Sequence, residues 1–101
     1  MGFIKVASIK DIGPVAMKGF KAGGKDILFV NLKGKYFGLD NSCTHMGCDL
    51  SEGSLQGESV ECPCHGSIFD IKTGKVLKGP AKKAAAVFKV KIEGGDLLVD
   101  V

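Results

Sequence analysis

The chain has 101 residues, of which 45% are apolar and 25% charged; that is enough for one domain, too few for two, and argues against a disordered chain. The net charge is +3, and all fourteen basic residues are lysine. With no arginine to grip phosphates or base edges bidentately, and only Lys82 and Lys83 adjacent, composition gives no support to a nucleic-acid role.

Strand patterns dominate the chain from its start. Phe3-Ile4-Lys5-Val6-Ala7-Ser8-Ile9 mixes apolar and polar positions with β-branched residues, and reads as a strand rather than a signal peptide. Val15 to Lys21 has room for one helical turn, closely bracketed by Gly13, Pro14, Gly19 and Gly23-Gly24. Asp26 to Leu32 is a largely apolar run of strand length, and Lys33-Gly34-Lys35 turns it into Tyr36-Phe37-Gly38-Leu39, a hairpin signal. Val60-Glu61-Cys62 and Ser67-Ile68-Phe69-Asp70 read as short strands around a Cys-rich turn. Lys72-Thr73-Gly74-Lys75 is a further turn. Val87-Phe88-Lys89-Val90-Lys91-Ile92 alternates apolar residues with Lys, which predicts one wet face. Glu93-Gly94-Gly95-Asp96 turns the chain into Leu97-Leu98-Val99-Asp100-Val101.

Many short strands with closely spaced turns predict an all-β fold, an antiparallel β-sandwich or small barrel spanning residues 1–101 as one domain. The stretch from Asn41 to Pro80 differs from the rest. It holds all four Cys, both His and two of the three Pro, and reads as a site-bearing subdomain on a β scaffold. No segment reaches the roughly 20 apolar residues that a membrane helix needs. The expectation is a soluble, cytoplasmic, monomeric protein without a membrane anchor.

The chemistry gathers in two motifs, Cys43-Thr44-His45 and Cys62-Pro63-Cys64-His65. Each offers a thiolate and an imidazole at short range, so two facing loops supply a Cys2His2 set. Four readings compete. One is an iron–sulfur centre in which two His replace two Cys on one iron. Another is structural zinc, although zinc fingers pair Cys with Cys and His with His along the chain, whereas here the order is Cys, His, Cys, His. A third is a disulfide framework, which leaves both His beside Cys by chance. The last is a Cys nucleophile with a His base, which leaves the doubling of the motif unexplained. Asp49, Glu52 and Asp70 lie near the motifs and read as solvated loop charges. No Gly-rich phosphate loop leads from a strand into a helix, so no flavin or nicotinamide site is expected.

Cys43-Thr44-His45-Met46-Gly47-Cys48 and Cys62-Pro63-Cys64-His65-Gly66-Ser67 closely resemble the two cluster-binding boxes of Rieske proteins. Gly79-Pro80-Ala81 resembles the third loop that covers the cluster in that family, and the chain after Lys83 looks like the last strands of soluble Rieske ferredoxins. The resemblance implies an antiparallel β fold with a cluster-binding subdomain at about residues 41–80. It also implies one [2Fe–2S] cluster per chain, with Cys43 and Cys62 on one iron and His45 and His65 on the other. Cys48 and Cys64 match a pair that forms a disulfide in the high-potential respiratory members. Ser67 matches a Ser that donates to a bridging sulfide there, and Phe69 stands where those members carry a Tyr. Met46 takes a shielding apolar position, and Gly79 and Pro80 shape the third loop. These correspondences imply a reduction potential below that of the respiratory proteins.

By the same resemblance the chain is an electron-transfer protein without a catalytic site of its own. Its implied partners are a reductase and an oxygenase or other oxidoreductase. The alternative is a subunit or redox-sensing module of a larger respiratory or oxidoreductase complex. An apolar patch around His45 and His65, with nearby Lys selecting acidic partners, is the expected docking surface. A cytoplasmic disulfide, together with Lys in place of Arg, suggests a thermophilic, archaeal source.

Overall fold

A computed structural model describes residues 2–43, 47–64 and 66–101. It contains eleven strands: β1 (Phe3–Ser8), β2 (Ala16–Ala22), β3 (Lys25–Leu32), β4 (Lys35–Asp40), β5 (Ser54–Gln56), β6 (Ser59–Glu61), β7 (Ile68–Asp70), β8 (Val76–Lys78), β9 (Val87–Phe88), β10 (Val90–Glu93) and β11 (Asp96–Asp100). Among the described residues the helical structure is two three-residue 3-10 turns, Ile9–Asp11 and Leu50–Glu52. The strands form three sheets, ordered β1-β11-β10, β2-β3-β4-β9 and β5-β6-β7-β8. Every pairing is antiparallel, as the all-β expectation required.

Strand β3 explains how the sheets share a core. Successive residues of a strand point to opposite faces. Ile27 and Phe29 enter one buried cluster with Ala7, Ala22, Leu97 and Val99, under the first sheet. Leu28 and Val30 enter a second with Leu39, Leu50, Val60, Phe69 and Ile71, under the third. All four of these β3 residues are fully buried. That is why Ile27 to Val30 is continuously apolar instead of alternating: it is covered on both sides. Phe20 of β2 packs edge-on against Phe29, with ring centroids 5.7 Å apart at 69°.

Local chemistry fixes the hairpins. The β3–β4 hairpin turns through Lys33 and Gly34, both at positive φ (54° and 93°), as a two-residue turn matched to strand twist demands. Asn31 holds it from the strand side. Its Oδ1 accepts from the Gly34 N–H at 2.8 Å, and its Nδ2 donates to the Ile12 carbonyl at 3.1 Å.

Two expectations need correction. The Val15 to Lys21 segment given room for a helical turn lies, from Ala16 on, in strand β2, which pairs with β3 along its whole length from Ala16↔Asn31 to Ala22↔Lys25. Local propensity there is weak, and the exposed edge of an apolar β3 decides the outcome. The Val87–Ile92 segment is two strands rather than one. It breaks at Lys89, with β9 pairing with β4 and β10 with β11. Its lysines are exposed as expected, yet Val87 and Ile92 are also 45% and 46% exposed, because the strand changes sheets and no single inner face persists.

Gly53 follows the second 3-10 turn and leads into β5. An added Cβ there would run into the Glu61 carbonyl oxygen of β6. Gly53→Ala is expected to destabilise the chain by on the order of 1–3 kcal/mol, as overpacking does. Thermal unfolding checks this, with an unchanged midpoint counting against so close a packing of β5 on β6.

Candidate metal centre

Strands β4 and β6 each run into a hairpin tip that begins with a buried cysteine. The root of the first tip is Asn41, only 2% exposed. Its N–H donates to the Asp26 carbonyl at 2.9 Å, and its own carbonyl accepts from the Leu50 N–H at 2.7 Å. Its Oδ1 accepts from the Ser51 N–H at 2.8 Å. Both ends of the loop are thereby held to the scaffold. Ser42 then bridges Asp49, and the Cys43 N–H donates to the Cys48 carbonyl at 2.8 Å.

The second tip repeats this pattern. Glu61 pairs with Ile68, and the Cys62 N–H donates to the Ser67 carbonyl at 2.7 Å. In each tip a glycine four residues beyond the first cysteine returns its N–H to that cysteine's carbonyl, Gly47 to Cys43 at 2.7 Å and Gly66 to Cys62 at 3.2 Å. Their φ angles are 74° and 75°, a region other residues seldom adopt. Cys48 and Ser67 therefore occupy equivalent positions in two like-shaped tips.

Cross-links join the tips to each other and to the third loop. Cys48 and Cys64 form a disulfide, with Cα atoms 6.4 Å apart. Cys48 is half-buried and Cys64 is exposed. The bond expected between these two residues is thus present. Ser67 is fully buried, and its Oγ accepts from the Ala81 N–H at 2.9 Å. That bond lays the loop of Gly79 and Pro80 against the second tip. Phe69 is fully buried in the same cluster as Cys43 and Cys62.

Cys43 and Cys62 are the two cysteines outside the disulfide, and they are 3% and 2% exposed. Two buried thiols, at matching positions of two cross-linked tips, suit a thiolate-held iron: such a ligand is softer than oxygen and keeps solvent from the metal. The expectations placed on His45, His65 and Met46 fall outside the described residues. Asp49 and Glu52 are exposed, and Asp70 accepts from the Lys72 N–H at 2.8 Å within a turn, in keeping with solvated loop charges. Residues whose importance the sequence did not announce are Asn41 and Ala81. The Cys-x3-Gly spacing shared by Cys43–Gly47 and Cys62–Gly66 was the available signal for the matching tips.

The comparisons with known proteins agree with this arrangement. The Rieske [2Fe-2S] domain family matches residues 2–90. The ferredoxin component of biphenyl 2,3-dioxygenase from Rhodococcus jostii (strain RHA1) is 39% identical over 101 residues, covering 100% of this chain and 94% of the relative. The ferredoxin component of the naphthalene 1,2-dioxygenase/salicylate 5-hydroxylase systems of a Ralstonia species is 38% identical, covering 90% and 88%. Among solved structures, the ferredoxin of Sphingomonas yanoikuyae B1 superposes with a TM-score of 0.92 at 27% identity, covering 99% of each chain. These relatives lend no support to the expected archaeal, thermophilic source. Among the described residues no helix is long and apolar enough to cross a membrane. On the match over residues 2–90, the chain belongs to the Rieske [2Fe-2S] domain family and carries one [2Fe–2S] cluster.

Proposed function

We propose that this chain is a diffusible one-electron carrier that delivers its electron to the oxygenase component of a dioxygenase system. The observation that carries the reading is its end-to-end likeness to a dioxygenase ferredoxin component, over 100% of this chain and 94% of the relative. In this reading the cluster ligands are Cys43 and Cys62 through sulfur and His45 and His65 through nitrogen, all within a subdomain at about residues 41–80. The chain has no catalytic site of its own, and the bond-making chemistry belongs to the partner.

The cluster supplies reversible one-electron exchange, at potentials of about −150 to +300 mV for centres with two His in place of two Cys. The protein sets the surroundings. Burial of Cys43 and Cys62 excludes water from the thiolate side. The Cys48–Cys64 bond holds one tip against the other. The Ser67 hydroxyl accepts from Ala81, which leaves its own proton to donate, and a donor aimed at cluster sulfur favours the more negative reduced state. Phe69, two residues on, offers no such donor. Phe69→Tyr is expected to raise the potential measured by voltammetry, and an unchanged or lowered value rules out the missing hydroxyl as a determinant.

The carrier reading is tested by mixing the reduced, iron-loaded chain without air with the purified oxygenase component of the Rhodococcus biphenyl system. The expected result is reoxidation of this chain by one electron per cluster, and product formation on adding oxygen that depends on its presence. No transfer, from a cluster that still cycles with chemical reductants, would favour the alternative of a module working inside a larger redox complex.

A further inference from the structure

The lysines are not spread evenly along the chain. Residues 36–71 hold six carboxylates (Asp40, Asp49, Glu52, Glu58, Glu61 and Asp70) and no lysine, while the rest of the chain holds all fourteen lysines and five carboxylates. The overall charge of +3 therefore conceals an acidic stretch that contains both hairpin tips.

The sheet register shows where the two signs meet. Ser54↔Glu61, Glu61↔Ile68 and Ile68↔Lys78 form one continuous rung across β5-β6-β7-β8. This rung lies at the end of the sheet where β6 runs into Cys62. Residues directly opposite in paired strands share a face. The neighbouring rung residues Val60 and Phe69 are fully buried, so Glu61 and Lys78 project from the other, solvent side. At about 4.8 Å per strand they stand roughly 10 Å apart. The β5 side of the rung is acidic: Glu52, Ser54, Glu61, Cys62, Pro63 and Gly66 line a groove of about 330 Å³ directly against the second tip. The β8 side is basic, with exposed Lys78, Lys82 and Lys83 bracketing Pro80. The ion pairs found among the described residues, Lys5–Asp96, Lys72–Glu58 and Lys91–Glu93, do not include Glu52, Glu61, Lys78 or Lys82; Glu61 Oε1 accepts a hydrogen bond from Gln56 Nε2 of β5, which leaves its charge unneutralised.

We propose that this two-signed edge orients the redox partner. The partner protein presents a Lys or Arg to the groove between Glu52 and Glu61, and a carboxylate to the Lys78 and Lys82 flank. The inference rests on the carrier reading, because it gives that reading's partner a defined surface. One charge contact leaves the docked pair free to rotate about it. Two contacts of opposite sign, one on either side of the cluster end, fix the rotation and so the distance the electron crosses. A partner that is only acidic, as nearby lysines alone would select, meets repulsion at the groove.

The test uses the reduced, iron-loaded chain and two small oxidants of opposite charge, hexaammineruthenium(III) and ferricyanide, in stopped-flow mixing at low salt. The double variant Glu52→Gln/Glu61→Gln is expected to slow the cationic oxidant by roughly fivefold and to leave the anionic one unslowed; Lys78→Gln/Lys82→Gln does the reverse. Both selectivities fade at 1 M salt, where the screening length is about 3 Å. With the oxygenase component as acceptor, each double variant lowers the second-order rate and its salt dependence, and also lowers the first-order rate at saturation, because the docked pair held by one contact is free to rotate. Equal responses of both oxidants to either variant, or an oxygenase rate indifferent to one of the two flanks, would overturn the proposal. An oxygenase that takes no electron even from the unmodified chain refutes the carrier reading instead, and the small-ion result still decides whether the edge is two-signed.

Discussion

Cys62→Ala is expected to yield a colourless protein with iron near background, and Cys43→Ala the same. Both thiols lie in the interior, 2% and 3% exposed, among Leu28, Val30, Leu50, Val60, Phe69 and Ile71. Nothing in that apolar wall offers a substitute donor, and burial bars an exogenous thiol from completing the set. The contrast with the other cysteine pair makes the result diagnostic. Cys48→Ser leaves both buried thiols in place, so this variant is expected to assemble a coloured centre. Iron content and visible absorption of the four single cysteine variants separate ligands from clasp. Colour surviving in Cys43→Ala or Cys62→Ala, or lost at assembly in Cys48→Ser, would reverse the assignment.

The second large effect belongs to that clasp. Cys48 and Cys64 are separated by 16 positions, and closing a loop of that size in the unfolded chain lowers its entropy by the equivalent of about 3 kcal/mol. Cys48→Ser/Cys64→Ser is therefore expected to lose about 3 kcal/mol, which for a domain of this size lowers Tm by on the order of 15 °C. The loss falls where the cluster sits. Among the described residues, a further tie of the second tip is the hydrogen bond from the Ala81 N–H to Ser67 Oγ. Colour should accordingly bleach faster in the double variant than the fold unfolds. Because Cys64 is exposed, a thiol reductant should produce the same two effects in the unmodified chain. Calorimetry alongside bleaching at a fixed temperature checks this, and equal rates of bleaching with and without the disulfide would show that the tips hold their shape unaided.

Much of the scaffold was legible because its strands announce themselves by different means. The Glu93–Asp96 turn followed by Leu97-Leu98-Val99 marks β11, with Leu97 and Val99 inward. The apolar run Ile27 to Val30 in β3 marks a strand buried on both faces. What local patterning could not show was β2, whose Ala, Met, Lys and Gly residues carry no strand preference and are ordered by pairing with β3. The short strands β5 and β8 were equally invisible, since three residues carry no period and, unlike β6 and β7, neither flanks the Cys-rich turn. They exist because β6 and β7 leave edges to be covered.

The site divides in the same way. The resemblance of the two motifs to known cluster-binding boxes implied the Cys48–Cys64 cross-link, which is present, whereas spacing alone left the pairing of four cysteines open. The equivalence of the two tips was hidden, because one ends its rung in Cys48 and the other in Ser67, and only the hydrogen bonds of Gly47 and Gly66 reveal the common shape. The sign of the docking surface was hidden too. Glu61 and Lys78 are far apart in sequence and become neighbours on one rung only through the order β6-β7-β8.

The claim on which the rest depends is that one [2Fe–2S] cluster is held by two cysteines and two histidines, Cys43, Cys62, His45 and His65. Electron paramagnetic resonance of the reduced, iron-loaded protein tests it most directly, together with pulsed detection of nitrogen couplings at the same signal. The account predicts a rhombic signal whose average g value lies below that of all-cysteine [2Fe–2S] centres, with couplings from two imidazole nitrogens, one lost in each of His45→Cys and His65→Cys. An average g value matching all-cysteine centres, with no imidazole coupling, would contradict it.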